Sequence, residues 1–458
     1  MAALRRELGL FSATALIVGS IVGSGIFFGP QNVAVLAPFG LTIMLVWLVA
    51  GVLSLLGALC IAELGAAMPQ SGGQYVYIRR AFGDLPAFLN GWTSLFAGKG
   101  AAVAAVSVAF GTFLQLIAPW PLGPPGYAVA LIAALTLANL VGVRQASLVQ
   151  NSATVLKVLG IGAVILLGMT AGARGRGFEP LLPLDGLQGS ILAAFGVALV
   201  PALFAYDGWY FSAQVAEEVR DPGRTLPRSI VLGMAVVMVL YLAINYVYAG
   251  VLGPQGLASV GTAEGAAIAD RHSPAVAVAS LLLGPAGVAL VVAAVLVSTF
   301  GTANGITLTG PRISYAMARD GLFFQRFARL HPRWRTPATA IVAQGAIGIA
   351  LAASGTFAQL ILLDVVHTFL FSGLAVVALL RLRRTEPSLP RPYRVPLYPL
   401  VPLLFIGLSI VLLTASVVAE PLLTGGFLLY LALGVPLYVW FEARKPRGRR
   451  EVVLGDLP

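Results

Sequence analysis

Apolar residues run along this chain in long uninterrupted stretches, not at the spacing of an amphipathic helix or an alternating strand. No charge occurs between Glu7 and Glu63, and Pro38-Phe39-Gly40 divides that stretch in two. Charge-free runs recur at 100–143, broken by the Pro- and Gly-rich turn 119–126, and then at 158–172, 186–206, 229–262, 275–311, 336–363, 395–419 and 421–441. A helix of about 20 apolar residues crosses a ~30 Å hydrocarbon core. The pattern predicts twelve such helices, near 9–37, 41–67, 85–117, 126–143, 149–171, 188–217, 228–252, 284–317, 337–354, 358–382, 397–418 and 422–441. The expected fold class is an all-α integral membrane protein embedded in a lipid bilayer.

Between the spans, 71–82 alternates glycine with Tyr75, Tyr77 and Ile78 and reads as an amphipathic helix. The segment 252–283 is long and nearly uncharged, with Ser273-Pro274 placed as a cap and first helical residue. It reads as a two-helix lid, with a packed loop as the competing reading.

Composition excludes whole classes of protein. The chain is 58% hydrophobic and 10% charged, with a mean hydropathy of +0.91, whereas a soluble domain carries about 25% charged residues. A soluble enzyme, a disordered chain and a nucleic-acid-binding module are all ruled out. The net charge of +11 becomes informative once it is placed on the twelve spans. One set of loops, with both ends of the chain, holds 24 of the 29 basic residues; the opposite loops hold only Arg174, Arg176 and Arg271. Basic loops stay inside, so both termini are expected to be cytoplasmic. One cysteine, Cys60, and three scattered histidines offer neither a disulfide framework nor a metal cluster, and no cofactor is predicted.

Two spans are interrupted. The first contains Gly19-Ser20-Ile21-Val22-Gly23-Ser24-Gly25, and each glycine weakens a helix by about 1 kcal/mol relative to alanine. A small-residue packing face is the competing reading. The sixth contains Phe204-Ala205-Tyr206-Asp207-Gly208-Trp209, with an aspartate at mid-span. Five spans separate the breaks, so the two broken helices run in opposite directions. That is the trace of an inverted repeat with a substrate site where the breaks meet. The predicted divisions are 1–171, 172–384 and a final pair of spans in 385–458. A half-helix beginning near Ser24 suits a carboxylate. Half-helices ending near Ile21 and Ala205 present carbonyls to an ammonium. Together they fit the two backbone charges of an amino acid, with Phe204 beside its side chain.

At these residues the chain resembles the amino acid–polyamine–organocation transporters, most closely the L-type amino acid transporter branch. The resemblance covers roughly 8–440. It is carried by Gly19–Gly25 with Ile26-Phe27, by Glu63-Leu64 through Phe82-Gly83, and by Phe204–Trp209 followed by Glu217-Glu218, Pro222, Arg224 and Leu226-Pro227. It implies a 5+5 inverted-repeat fold of the LeuT-like kind and alternating access without chemical conversion. It also implies that backbone groups of Ser24, Gly25 and Ile26 hold the substrate carboxylate. Carbonyls of Ile21, Phe204 and Asp207 are implied to hold the amino group, with Phe204 closing over the substrate. L-type members often have glycine at Asp207; an acidic side chain there favours cationic substrates, unless it turns away and only its carbonyl serves the site. Lys157, inside the fifth span, is implied to replace a sodium ion, with carbonyls near Gly19 and the Ser298 hydroxyl as neighbours. Snorkelling is the alternative.

The expected function is sodium-independent exchange of neutral L-amino acids across the cytoplasmic membrane. The alternatives are a proton-coupled or cationic amino acid and polyamine carrier, and a membrane enzyme using Asp364 and His367, which lie at i, i+3 on the tenth span. Lys99 pairs inside the bundle or snorkels. Glu63, Glu217 and Glu218 are expected to pair with Arg79, Arg80 or Arg224 as an inner gate. The resemblance also brings in a heavy-chain partner, which eukaryotic L-type carriers join through an extracellular cysteine; because the corresponding loop 118–127 has none and Cys60 is intramembrane, no disulfide-linked heavy chain is expected. The expected assembly is a monomer or weak homo-oligomer.

Overall fold

A helix buried in lipid satisfies its own backbone groups, and the apolar runs fold accordingly. A computed structural model describes residues 4, 6–171, 178, 179, 181, 189–260, 273–354 and 357–444. Among these residues the chain forms α1 (Leu10–Ile21), α2 (Gly25–Leu36), α3 (Gly40–Ala67), α4 (Gln74–Phe82), α5 (Asp84–Thr93) and α6 (Lys99–Ile117). There follow α7 (Gly123–Leu140), α8 (Val143–Ala171), α9 (Gly189–Ala205), α10 (Phe211–Gln214), α11 (Pro222–Ser259) and α12 (Pro274–Leu283). The last are α13 (Pro285–Thr309), α14 (Pro311–Arg319), α15 (Ala338–Ser354), α16 (Phe357–Thr385), α17 (Leu400–Ala419) and α18 (Pro421–Ala443).

Nine helical stretches among the described residues are long and apolar enough to cross a membrane, and the bent pair α1–α2 makes a tenth. These coincide with ten of the predicted spans. The other two predictions fall on α9–α10 and α15, which are apolar but shorter. Apolar side chains on the outer helices face outward, with Leu422 91% exposed and Val418 77% exposed. Water would penalise such a surface and acyl chains would not; the chain is a multi-pass membrane protein.

The amphipathic segment becomes α4, which buries Tyr75, Tyr77 and Ile78. Of the expected lid, Ser273 stands at the N-cap position of α12, without a side-chain capping hydrogen bond, and Pro274 at its first helical position. On the other side α11 continues to Ser259 through a kink at Gly253. The middle of that segment, Arg5, Arg174, Arg176, Arg271 and the basic tail from Lys445 onward lie outside the described residues.

The arginine-rich end is knitted by ion pairs, but not the expected ones. Glu63 accepts from Arg383 at 2.5 Å and from the Val395 amide at 2.6 Å, with Arg391 at 3.5 Å. Glu217 pairs with Arg319 at 3.1 Å and accepts from the Ser71 amide. Glu218 pairs with Arg312 at 2.8 Å, both side chains almost wholly buried. Arg79 turns to Asp84 and Asp320, and Arg80 to Glu386. Apart from Asp84, the partners come from segments that lie far away in sequence, so proximity along the chain misassigned them. At the same end the amides of Glu7 and Leu8 donate to the Glu218 carbonyl, and the Arg220 amide donates to that of Leu8.

Candidate substrate site

Both predicted breaks are present. The axis bends 44° between α1 and α2. In α2 the first hydrogen bond is donated by the Phe27 amide to the Ser24 carbonyl. The amides of Gly25 and Ile26 therefore stand at the positive end of the helix dipole. Between α9 and α10 the chain unwinds over Tyr206–Tyr210, where Gly208 takes φ = 114°, a conformation that favours glycine. The breaks touch. A Cβ added to Gly25 would lie 2.6 Å from the Ala205 Cα, so only glycine permits this approach.

Where they meet lies a small cavity, with about 480 Å³ of atom-free space in and around it, open solvent included. Of the residues predicted to bind substrate, Ile21, Ser24, Gly25, Phe204, Ala205 and Asp207 line it. Ile26, the second residue of α2, does not: its side chain is wholly buried in the core, and the predicted contact is its backbone amide. The remaining wall is Ser20 and Gly23 from the first break, Phe211 from α10, Ala102, Ala105 and Val106 from α6, Thr302 and Ile306 from α13, and Ile361 and Asp364 from α16. Small residues on α6 leave the volume open.

The carbonyls at the α1 and α9 ends are less free than the sequence suggests. The Tyr241 hydroxyl, from α11, lies 3.0 Å from the Ile21 carbonyl and 2.9 Å from that of Ala205. The Phe204 carbonyl accepts from the Asp207 amide at 3.0 Å. Buried carbonyls require donors, and Tyr241 supplies one from the neighbouring helix. A carbonyl has two lone pairs, so each keeps capacity for a second donor. Tyr241 escaped the sequence reading, although a phenol within an apolar span needs a partner.

Lys157 is wholly buried and does not snorkel. Its Nζ donates to the carbonyls of Gly19 (2.6 Å), Val22 (2.6 Å) and Ser298 (2.9 Å), with the Thr302 hydroxyl at 3.3 Å. Ser298 thus contributes its carbonyl, not the expected hydroxyl. Its hydroxyl donates to the Val22 carbonyl instead, at 2.8 Å, because an unwound carbonyl draws every donor in reach. Thr302, absent from the prediction, also donates towards the carbonyls of Gly19 and Val22. An ammonium therefore occupies the inside of the α1 break.

Lys99 does not snorkel either. It follows a π-helical turn, Ser94–Gly98, donates to the Tyr210 hydroxyl at 3.2 Å and lies 3.6 Å from the centre of the Phe211 ring. Asp207 lines the cavity with its Oδ1 buried and without a hydrogen-bond partner among the described residues. His367 meets the Thr93 hydroxyl at 3.1 Å on α5, while Asp364 lines the cavity, so the i, i+3 pair turns to different partners. Cys60 is wholly buried within α3.

An all-helical membrane protein with a cavity at the junction of two broken helices, its wall lined by exposed helix ends, defines a carrier. The family model for amino acid permeases matches residues 8–441, and the chain belongs to that family. The b(0,+)-type amino acid transporter 1 of Mus musculus is 34% identical over 91% of this chain and 84% of its own length. The serine/threonine exchanger SteT of Bacillus subtilis (strain 168) is 30% identical, covering 96% and 98%. The large neutral amino acids transporter small subunit 2 of Mus musculus is 33% identical, covering 95% and 81%. The protein is an amino acid transporter and not an enzyme, which sets aside the reading built on Asp364 and His367.

Proposed function

We propose that the chain exchanges neutral L-amino acids across the cell membrane without sodium, by alternating access about the cavity between α1–α2 and α9–α10. The observation that carries this reading is the meeting of Gly25 and Ala205. It sets the α2 amides and the carbonyl ends of α1 and α9 around one volume, matched to a carboxylate and an ammonium. Ser24, Gly25 and Ile26 would hold the carboxylate through backbone groups. The second lone pairs of Ile21 and Phe204, with the Asp207 carbonyl, would hold the ammonium, and Phe204 would cover the substrate. The names of the relatives, an exchanger of serine and threonine and a transporter of large neutral amino acids, support neutral exchange.

Lys157 supports the absence of sodium coupling. Its charge already sits on the carbonyls of Gly19, Val22 and Ser298, and a cation there would be repelled. The topology we propose has twelve spans, with α9–α10 and α15 as the sixth and ninth. Repeats at 1–171 and 172–384 are followed by two spans in 385–458. Both termini are cytoplasmic. The carrier is a monomer or weak homo-oligomer without a heavy chain joined through Cys60. A cationic-substrate reading draws support from Asp207 at the cavity wall and from the b(0,+)-type relative. Against it, the buried Lys99 already interacts electrostatically with that carboxylate.

Proteoliposomes preloaded with unlabelled amino acids test the proposal. They are offered labelled alanine, leucine, arginine or putrescine, with and without sodium and a proton gradient. Uptake of alanine and leucine that depends on internal amino acid and ignores sodium is expected. A sodium requirement would remove the role given to Lys157, and uptake confined to arginine or putrescine would reject neutral exchange.

A further inference from the structure

Three side chains lining the cavity keep a buried oxygen without a hydrogen-bond partner among the described residues, Ser20, Asp207 and Asp364; the first two lie at the breaks assigned to the amino and carboxyl groups common to all amino acids. Asp364 lies on α16, which carries neither break, and lines the cavity while only 5% exposed. Its Oδ1 is buried without a hydrogen-bond partner among the described residues. Burying such an acceptor unpaired is costly, so its place in the wall points to a donor brought by the substrate. Ala102, Ala105 and Ile361 from the same wall leave room for a short side chain.

The surrounding charges indicate what kind of donor. Lys99 interacts electrostatically with both Asp207 and Asp364, but no ion pair joins it to Asp364 among the described residues; its Nζ is committed to the Tyr210 hydroxyl and the Phe211 ring. The charge of Lys99 balances one carboxylate. The substrate ammonium, placed near Asp207, balances the other, and the α2 dipole answers the substrate carboxylate. What remains unmet at Asp364 is a hydrogen bond, not a charge. His367 does not compete, since it faces Thr93.

We propose that Asp364 reads the substrate side chain. The site selects small neutral amino acids that carry a side-chain hydroxyl over aliphatic ones of the same shape, the hydroxyl donating to the Asp364 carboxylate. This rests on the neutral-exchange reading above and narrows its substrate class.

The test compares shape-matched pairs in proteoliposomes of the full chain preloaded with alanine. Labelled threonine is set against valine and serine against alanine, with lysine and ornithine as a cationic arm. A hydrogen bond to a charged acceptor predicts a threonine-to-valine ratio of kcat/KM of about ten- to a hundredfold in the wild type. That ratio should collapse to near one in Asp364→Leu. In Asp364→Asn, which keeps a neutral acceptor and a similar shape, it should fall several-fold. The ratio is read independently of absolute rate, and the wild type and Asp364→Asn decide the matter if Asp364→Leu does not fold. Equal use of threonine and valine by the wild type overturns the proposal, as does an unchanged ratio in the variants. A lysine or ornithine preference that vanishes with Asp364 also overturns it, because Asp364 would then read charge. If valine and alanine exchange persists without discrimination, only this inference falls. If no amino acid exchanges, the carrier reading falls with it.

Discussion

Replacing Lys157 by methionine removes the charge at the α1 break while keeping the length and most of the volume of the side chain. The ammonium donates to three carbonyls, those of Gly19, Val22 and Ser298. Two of them keep a second donor in the variant: Thr302 remains 3.0 Å from the Gly19 carbonyl, and Ser298 Oγ remains 2.8 Å from that of Val22. Only the Ser298 carbonyl loses its side-chain donor outright, and one unsatisfied buried acceptor costs about 1–3 kcal/mol. The fold should survive. The same 1–3 kcal/mol, taken from the conformation that holds the break open, corresponds to roughly 5–150-fold in an equilibrium. Initial rates of amino acid exchange in proteoliposomes should fall by a factor in that range. Thermal unfolding of the detergent-solubilised variant should shift by only a few degrees. Exchange within twofold of the wild-type rate would refute the claim that Lys157 holds the working geometry of α1. Loss of folded protein without a transport-specific defect would refute the division of roles among its partners.

Other substitutions probe the remaining parts of the site. Gly25→Ala places a Cβ 2.6 Å from the Ala205 Cα; overpacking of about 1–3 kcal/mol should separate the breaks and abolish substrate-induced thermal stabilisation, whereas retained binding would show that the contact is dispensable. Tyr241→Phe strips the donor from the Ile21 and Ala205 carbonyls, so unfolding measurements should show a loss of about 1–3 kcal/mol and uptake assays a raised KM. Arg312→Met leaves Glu218 buried and unpaired, which should destabilise by about 3–5 kcal/mol. The double variant Arg312→Met/Glu218→Leu should recover much of that loss, and a double variant as unstable as the single one would deny that the pair is the cause.

The spans and the breaks were legible because each is written locally. A run of apolar residues dictates a lipid-facing helix whatever surrounds it, and Gly23-Ser24-Gly25 or Asp207-Gly208 weakens a helix where it stands. The cavity wall was half legible. Ile21, Ser24, Gly25, Phe204, Ala205 and Asp207 lie in the breaks and were found with them. Thr302, Ala102 and Ile361 sit in continuous helices whose pattern carries no mark of which face meets the cavity. Lys157 was conspicuous as a lone charge in an apolar span, yet its acceptors are set by packing, so Ser298 was named for the wrong atom. Long-range ion pairs were least legible. Glu63 meets Arg383 and Glu218 meets Arg312 across separations that charge patterning along the chain does not encode.

The most direct test of the central claim is counterflow. Vesicles loaded with unlabelled neutral amino acid are diluted into sodium-free buffer containing a trace of the labelled form. The account predicts transient accumulation of label above equilibrium, abolished by Gly25→Ala and indifferent to added sodium. Accumulation that appears only when sodium is supplied, or none with any amino acid inside, would contradict it.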